Sequence, residues 1–311
     1  MTEHDEHDFE LEMEAVRRAF DRAAADYDAH TPLQSTVRER LLEKLELVTL
    51  EPKVVLDAGC GTGRAIPALA KRFRKAELLA LDLAPGMLRE ARKHKPWFRK
   101  LATLEGRLEA MPLGDDRVDV LFSSLAMQWL NDLDAALEEF KRVMRPGGLL
   151  TFATFGPDTL RELRSAWSEV DGFNHVNRFL DLHDVGDALV RAGFSEVVMD
   201  VEHFTLTYDS ARDLMRDLKV IGAHNVTAGR SRGLMGRKKL AAVEQAYEAF
   251  RADFDGEQKL PATYEVVYGT AWLPEHAKQH RDHAMGVGRE GEVSVSLDSL
   301  RSSLKKKTGD Q

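Results

Sequence analysis

The chain has 311 residues, of which 43% are apolar and 31% are charged, and its formal net charge is −8. This composition is typical of a globular protein and excludes a chain that is disordered throughout or collagen-like. The charge is unevenly distributed, because residues 1–14 carry seven acids and no Lys or Arg. The rest of the chain carries 44 basic and 45 acidic groups and is therefore nearly neutral.

The acidic N-terminal segment, predicted to be a flexible tail over residues 1–14, lacks the basic and apolar regions of a signal peptide. No apolar run approaches the roughly 18 residues that a membrane span needs. The sequence therefore predicts a cytoplasmic protein with no membrane partner. Its single cysteine, Cys60, allows neither an intramolecular disulfide nor a cysteine-based zinc site, and we predict no metal.

Two amphipathic helices are predicted after the tail, because apolar residues recur three and four positions apart from Val16 to Tyr27 and again from Val37 to Leu45. Short apolar segments then alternate with helical ones. The predicted strands are 54–56, 78–81, 101–104, 118–123 and 149–155, and the predicted helices between them are 66–73, 85–93 and 132–143. This alternation is typical of a parallel sheet covered by helices on both faces, so the predicted fold is a doubly wound, Rossmann-like α/β domain.

The second half of the chain predicts helices near 158–170 and 181–191 and strands near 195–201 and 203–208. A wholly helical stretch follows, and an alternating segment after it predicts a last strand. The predicted organisation is a core over 15–209, a helical cap insertion over 210–260, a final core strand over 261–274 and a disordered polar tail over 275–311. A cap between the last two strands would cover the strand ends, where open α/β sheets bind ligands.

A glycine-rich turn joins the first predicted strand to its helix. Gly59, Gly61 and Gly63 follow Asp57, and missing side chains let a ligand approach the backbone. A dinucleotide-binding fingerprint would need glycine where this chain has Arg64, so a pyrophosphate ligand is disfavoured. The tighter loop suits an adenosyl group that carries an amino acid.

Two acids complete this pattern. Asp57 is predicted to face the ligand's ammonium directly or through water, and Asp82 ends the second strand, where it is predicted to accept both ribose hydroxyls. Together with the runs 85–88, 119–124 and 145–148, these residues resemble the class I S-adenosylmethionine-dependent methyltransferases. The resemblance implies S-adenosylmethionine as cofactor, with further contacts from Leu83, Met87, Leu108 and Ser123. The chain departs from the family at Arg107, where members often carry an acid for the adenine amino group.

A narrower resemblance extends from Val16 to Leu273. The runs that carry it are 20–24, 27–28, 123–129, 156–160, 176–179, 219–225 and 261–266. They resemble the malonyl-acyl carrier protein O-methyltransferases of biotin synthesis, which implies a seven-stranded methyltransferase sheet with a helical cap. The implied reaction is methyl transfer to the free carboxylate of a malonyl thioester, which permits elongation toward a pimeloyl ester. Methylation of a free small carboxylic acid is an alternative, and so is a non-methylating, cofactor-binding assembly or modification factor.

The predicted chemistry needs no general base, because a malonyl carboxylate is ionised at pH 7. The resemblance implies that Tyr27 lies over the methyl donor. Arg178 is the candidate for bidentate pairing with the malonyl carboxylate, and His224 is a weaker candidate for a further hydrogen bond. Each has an ordinary alternative, namely core packing for the tyrosine and a solvated or structural position for the others. Trp129 is expected either to wall the reaction site or to pack beneath the cap.

A basic segment lies within the predicted cap. Residues 216–239 contain seven basic residues and one acid, a local charge of +6. Such a surface can steer an acidic partner toward the cleft, and acyl carrier proteins are acidic. RNA is the weaker alternative, because the segment has no aromatic residue on which bases could stack. The predicted partner is therefore acyl carrier protein and not nucleic acid, and the sequence makes no prediction of the oligomeric state.

Overall fold

A computed structural model describes residues 11–97, 99–171, 177, 179–222 and 236–275. Its centre is a sheet in which seven strands follow the order β3-β2-β1-β4-β5-β8-β6, with β7 paired to β8 outside this path. The five strands from β3 to β5 are parallel, and β8 runs antiparallel to both β5 and β6. This architecture confirms the predicted doubly wound, Rossmann-like methyltransferase fold.

The parallel half of the sheet is built from alternating strands and helices. Its elements are β1 (Val54–Ala58), α3 (Ile66–Arg72), β2 (Glu77–Asp82), α4 (Pro85–Ala91), β3 (Leu101–Glu105), β4 (Val118–Ser124), α5 (Leu133–Val143) and β5 (Met144–Phe155). All five residues of β1 are buried, because helices cover both faces of the sheet. The carboxyl ends of β1, β2 and β4 therefore meet at one edge, where they carry Asp57, Asp82 and Ser124.

Two helical elements precede the sheet and close over this edge. They are α1 (Met13–Ala23) and α2 (Pro32–Glu46), joined by a 3-10 helix over Tyr27–His30. One face of α2 is fully buried through Val37, Leu41 and Leu45, in agreement with its apolar spacing. Tyr27 was predicted to continue the first helix, but the chain turns after Ala23 and presents the tyrosine from the 3-10 helix.

The antiparallel half differs from the prediction in its strand boundaries. It contains α6 (Arg161–Ser168), α7 (Leu182–Arg191), β6 (Ser195–Tyr208), α8 (Ala211–Val220), α9 (Arg237–Tyr247), β7 (Ala252–Phe254) and β8 (Glu257–Trp272). The two strands predicted near 195–201 and 203–208 form one strand, whose pairing with β8 continues through Glu202 and His203. Glu202 and His203 are polar and lie on the edge strand of the sheet, so the sequence alone predicts a break between two strands there.

The predicted cap boundary also needs correction. Residues 210–260 were predicted to be wholly helical, but the helices in the described part of this stretch are followed by β7, which pairs with the first residues of β8. The last strand therefore begins at Glu257 and not at 261. Charged residues at 251–259 conceal a hairpin because both of its faces are largely exposed to solvent. None of the helices in the described ranges has both the length and the apolar character needed to cross a bilayer.

Candidate active site

A cavity opens at the carboxyl edge of β1, β2 and β4, beneath α1 and the 3-10 helix. Of the predicted cofactor residues, those that line it are Asp57, Gly59, Gly61, Asp82, Leu83, Met87 and Leu108. The fold therefore brings together residues that the sequence separates by about fifty positions. This is the edge at which open α/β sheets bind ligands.

The glycine loop forms the floor of this cavity. Gly59 has a φ of +74°, and a Cβ there would lie 2.2 Å from Cβ of Ala126, so the loop can approach the segment after β4 only without a side chain. A Cβ on Gly61 would meet nothing within 4 Å, so this glycine faces open space. Gly63 was predicted to contact the cofactor, but it is not among the cavity-lining residues. Its Cα instead packs against α4, where a Cβ would lie 2.7 Å from Cα of Ala91.

The two predicted acids are held differently. Asp57 is 3% exposed, and its Oδ2 is buried without a hydrogen-bond partner. Burial, followed by the charge of Asp82, raises the pKa of Asp57 to about 7. Asp82 accepts hydrogen bonds from the backbone N–H groups of Gly61 (2.8 Å) and Ala84 (2.9 Å), which partly offset the burial that raises its pKa to about 6. Two desolvated acids without a paired cation are suited to a cationic ligand.

A cation missed by the sequence analysis lies opposite these acids. Arg38 on α2 lines the cavity with 20% of its side chain exposed, and its Nη2 donates to Oγ of Ser35 at 2.6 Å. Burial lowers the pKa of Arg38, while the nearby carboxylates, including those of Asp28 and Asp57, act in the opposite direction. The sequence signal was its spacing four residues after Gln34, which places both side chains on one face of α2.

These groups fit S-adenosylmethionine. The unpartnered Asp57 carboxylate would hold the ammonium, Arg38 would hold the carboxylate of the same amino acid, and Asp82 has unused acceptor capacity for ribose hydroxyls. Met87 and Leu108 are 1% and 8% exposed and offer an apolar enclosure for adenine. A buried acid and a partly buried cation that line the same cavity match a zwitterion.

The adenine end of the cavity explains the departure at Arg107. This arginine pairs with Glu109 at 3.1 Å, and both residues line the cavity together with Leu108. The carboxylate of Glu109 in this part of the cavity is therefore neutralised by Arg107.

Ser123, which was predicted to contact the cofactor, faces the sheet interior and not the cavity. Ser123 is fully buried, and its hydroxyl donates to the carbonyl oxygen of Ala58 at 2.8 Å, so it stabilises the pairing of β4 with β1. The next residue, Ser124, lines the cavity. Since successive side chains of a strand point to opposite faces, a shift of one position moves the contact from the cavity to the sheet interior. The structure therefore favours Ser124 over Ser123.

Aromatic side chains roof the cavity. The ring of Phe20 contacts those of Tyr27 and Trp129, with centroid distances of 6.3 Å and 5.1 Å. Burial, with smaller contributions from the nearby acids, raises the pKa of the Tyr27 phenol well above its ordinary value, so the hydroxyl stays protonated. The adjacent Asp28 accepts hydrogen bonds from Oγ1 of Thr62 (2.6 Å) and Nε of Arg64 (2.7 Å) on the glycine loop. Hydrogen bonds therefore attach the 3-10 helix that carries Tyr27 to the glycine loop.

A second, more apolar cavity adjoins the first. Its lining includes Phe155, Phe179, Leu218 and Tyr264, contributed by the sheet, α8 and the chain before α7. The residues that line both cavities are Phe20, Tyr27, Gln34, Leu125 and Trp129. Among the described residues that line the second cavity, none is Lys, Arg, Asp or Glu. The first cavity is therefore polar and the second is apolar, and Tyr27 lies at their junction.

Two predicted catalytic residues, Arg178 and His224, lie outside the described residues. The neighbouring Asn177 is described, is 8% exposed and lines the second cavity. Arg178 and His224 therefore stay predictions.

The basic segment is described only at its two ends. Residues 216–222 and 236–239 are described, and the exposed basic side chains there are Arg216, Lys219, Arg237, Lys238 and Lys239. Arg216 pairs with Asp213 at 2.7 Å, and Lys239 pairs with Asp171 at 3.0 Å. These ion pairs reduce the local positive charge that was counted from the sequence.

Comparison with known proteins agrees with the fold. Residues 56–152 match a family model described as a methyltransferase domain. A solved structure from Bacillus halodurans, described as a methyltransferase, matches with a TM-score of 0.53 and 19% identity and covers 75% of this chain and 98% of that chain. The chain therefore has a methyltransferase domain and fold, and its sequence relatives make it an S-adenosylmethionine-dependent methyltransferase.

Sequence relatives define the family. The malonyl-[acyl-carrier protein] O-methyltransferase of a Methylovorus species is 52% identical over 266 residues, which cover 84% of this chain and 88% of the relative. The enzyme of the same description from Halorhodospira halophila is 47% identical over 291 residues, covering 94% of this chain and 96% of the relative. The chain belongs to the malonyl-[acyl-carrier protein] O-methyltransferase family.

Proposed function

We propose that the protein transfers a methyl group from S-adenosylmethionine to the free carboxylate of malonyl-acyl carrier protein, giving a methyl ester that primes pimeloyl and biotin synthesis. The observation that carries this proposal is the junction of two cavities, one built for a charged cofactor and one for an uncharged chain. When bound, S-adenosylmethionine supplies an electrophilic methyl group on a sulfonium. The transfer leaves a neutral thioether and an ester, and no proton moves.

The chain's own residues supply alignment and exclusion of water. Asp57, Asp82 and Arg38 would fix the cofactor by its charged and hydroxyl groups. Phe20 and Trp129 cover the junction and exclude solvent, which favours a reaction in which opposite charges neutralise. The protonated Tyr27 phenol can donate a hydrogen bond beside the reacting groups but cannot act as a base near neutral pH.

The second cavity suits the acceptor's chain. A thioester and the arm that carries it are uncharged near the reacting end, and the described lining of this cavity is apolar with a few neutral polar groups. Arg178 stays the proposed partner of the malonyl carboxylate, with His224 as a further hydrogen-bonding candidate. Acyl carrier protein is the proposed macromolecular partner, bound by the exposed basic side chains of α8 and α9. The buried free thiol of Cys60 suits a reducing compartment, and the cytoplasm is the proposed location.

The test compares acceptors under identical conditions. Purified protein and S-adenosylmethionine are incubated with malonyl-acyl carrier protein, with malonyl-coenzyme A, with free malonate and with acetyl-acyl carrier protein, and products are identified by mass spectrometry. The proposal predicts one added methyl on malonyl-acyl carrier protein and none on the acetyl form, which lacks the carboxylate. Equal methylation of free malonate would favour a small-acid methyltransferase. Cofactor binding without transfer to any acid would favour the assembly-factor alternative.

A further inference from the structure

The junction of the two cavities contains a polar residue to which no role has been given. Of the five residues that line both cavities, Phe20 and Leu125 are apolar and Trp129 offers a single indole N–H, so Tyr27 and Gln34 supply the other neutral polar groups. A carboxylate accepting a methyl group has to reach this junction from the second cavity. Its second oxygen then needs a donor, because an unpaired charge in an enclosed site is costly.

The other polar residues that line the second cavity, Gln128, Thr159, Asn177 and Tyr264, do not line the first. Nε2 of Gln128 donates to the carbonyl oxygen of Leu125 at 2.7 Å, and Oγ1 of Thr159 donates to the carbonyl oxygen of Glu265 at 3.0 Å. Asn177 lines the second cavity but not the first.

Gln34 is different in both respects. Among the described residues its carboxamide has no hydrogen-bond partner, and it lines both cavities from the first turn of α2. Gln34 lies four residues before Arg38 on the same helix, so α2 holds both residues in the lining of the cofactor cavity. A carboxamide NH₂ offers two donors to an anion and needs no protonation change.

We propose that Gln34 is a substrate-recognition residue that donates a hydrogen bond to the acceptor carboxylate at the junction, together with the Tyr27 hydroxyl. This inference rests on the proposed function and deepens it by naming the residue that distinguishes a carboxylate-bearing thioester from one without a carboxylate.

The experiment measures binding independently of turnover. The dissociation constants of malonyl- and acetyl-acyl carrier protein are measured by calorimetry on protein saturated with S-adenosylhomocysteine, for wild type, Gln34→Leu and Gln34→Glu. Gln34→Leu removes the donors, and Gln34→Glu adds a like charge. The control is Gln258→Leu, because Gln258 is exposed at the start of β8, lies outside α8 and α9, and lines neither cavity.

We expect Gln34→Leu to weaken binding of the malonyl form about tenfold, as for the loss of a hydrogen bond to a charged group, and Gln34→Glu to weaken it further. Cofactor affinity and binding of the acetyl form should match wild type, which a merely structural role would not produce. Wild-type affinity of Gln34→Leu for the malonyl form would overturn the role of Gln34, and so would an equal loss for both acyl forms. Tight wild-type binding of the malonyl form without turnover would instead contradict the proposed function alone.

Discussion

The desolvated carboxyl groups of Asp57 and Asp82 dominate the chemistry of the cofactor cavity, and neither forms an ion pair with another described residue. Burial raises the pKa of Asp57 to about 7 and that of Asp82 to about 6, so both acids titrate within an accessible pH range. Their ionised forms are the ones that a cationic cofactor prefers. The pH dependence of binding therefore reports directly on these residues.

The first prediction concerns Asp57 and pH. Cofactor affinity should fall as the pH drops from 8 to 5.5, because protonation of Asp57 removes the partner of the ammonium. In the cofactor-free protein the folded pKa of Asp57 lies above its ordinary value of 3.8, so its contribution to the free energy of unfolding is present at low pH and is lost as the pH rises through about 7.

Calorimetry and thermal melts of wild type and Asp57→Asn test both statements. The variant should bind S-adenosylmethionine more weakly at pH 8, and its unfolding temperature should vary less between pH 5 and 8. Identical pH profiles for the two proteins would show that Asp57 does not titrate in this range.

The second prediction concerns Arg38. Replacing it by glutamine should weaken S-adenosylmethionine binding about tenfold, because a charge-assisted hydrogen bond is lost in a partly buried site. Arg40→Gln is the matched control, since Arg40 lies on the same helix, is half exposed and pairs with Glu43. Adenosine, which lacks the amino-acid carboxylate, should bind wild type and Arg38→Gln equally. A loss of adenosine binding in that variant would indicate a structural effect instead.

The residues of the site differ in how far the sequence reveals them. Asp57 and Asp82 end strands beside a glycine loop, so their direction follows from the parallel sheet. The prediction of Ser123 as a cofactor contact was wrong by one position, because the last residues of β4 alternate between the cavity and the sheet interior. The spacing of Gln34 and Arg38 places them on one face of α2, but it does not reveal that this face packs over the sheet edge, so neither residue was predicted.

At the scale of elements, the N-terminal helices are bonded to the loops that form the cofactor site. Asp21 accepts a hydrogen bond from the backbone N–H of Gly86 at the start of α4, and Asp28 accepts from Thr62 and Arg64 on the glycine loop. These contacts position Tyr27 above the cavity. The roof therefore depends on polar bonds as well as on the packing of Phe20.

The third prediction follows from the Asp28 contacts. Asp28→Ala should accelerate cofactor dissociation and lower kcat, because Tyr27 loses its attachment to the glycine loop. Asp26→Ala is the control, since Asp26 is an exposed acid two residues earlier. Stopped-flow dissociation and steady-state kinetics would measure the change. Equal behaviour of the two variants would show that packing alone holds the roof.

The boundaries of strands were predicted well where the strand is uniformly buried. They were predicted wrongly where the strand faces solvent. The fully buried β1 was recognised from three apolar residues. In contrast, alternate residues of β6 are exposed, and β7 and the start of β8 are largely exposed, so polar sequence was read as a break or as helix. Pairing with β8 determines these strands, and pairing is non-local information.

At the scale of the whole molecule, the net charge of −8 conceals local differences. Seven of the acids lie within residues 1–14, whereas exposed basic side chains cluster on α8 and α9. We propose that the local field of these helices, and not the total charge, directs an acidic partner to them. Internal ion pairs at Arg216 and Lys239 make Arg237 and Lys238 the better positions to alter.

The fourth prediction uses these positions. Charge reversal in Arg237→Glu/Lys238→Glu should slow association with malonyl-acyl carrier protein and flatten its salt dependence, while the kinetics with malonyl-coenzyme A change little. Reversal of Lys71 and Arg74, which are exposed around the end of α3, provides a control of equal charge change. If both double variants slow association equally, the docking surface is not on α9.

The protein is proposed to methylate a carboxylate at the junction of its two cavities. The most direct measurement is transfer of an isotopically labelled methyl group from S-adenosylmethionine to malonyl-acyl carrier protein, followed by mass spectrometry of the released acyl group. The account predicts that the label is found as a methyl ester on the malonyl carboxylate, at a rate that Asp82→Ala reduces through loss of cofactor affinity. Label on the carrier protein itself, or no label on the malonyl group, would contradict it.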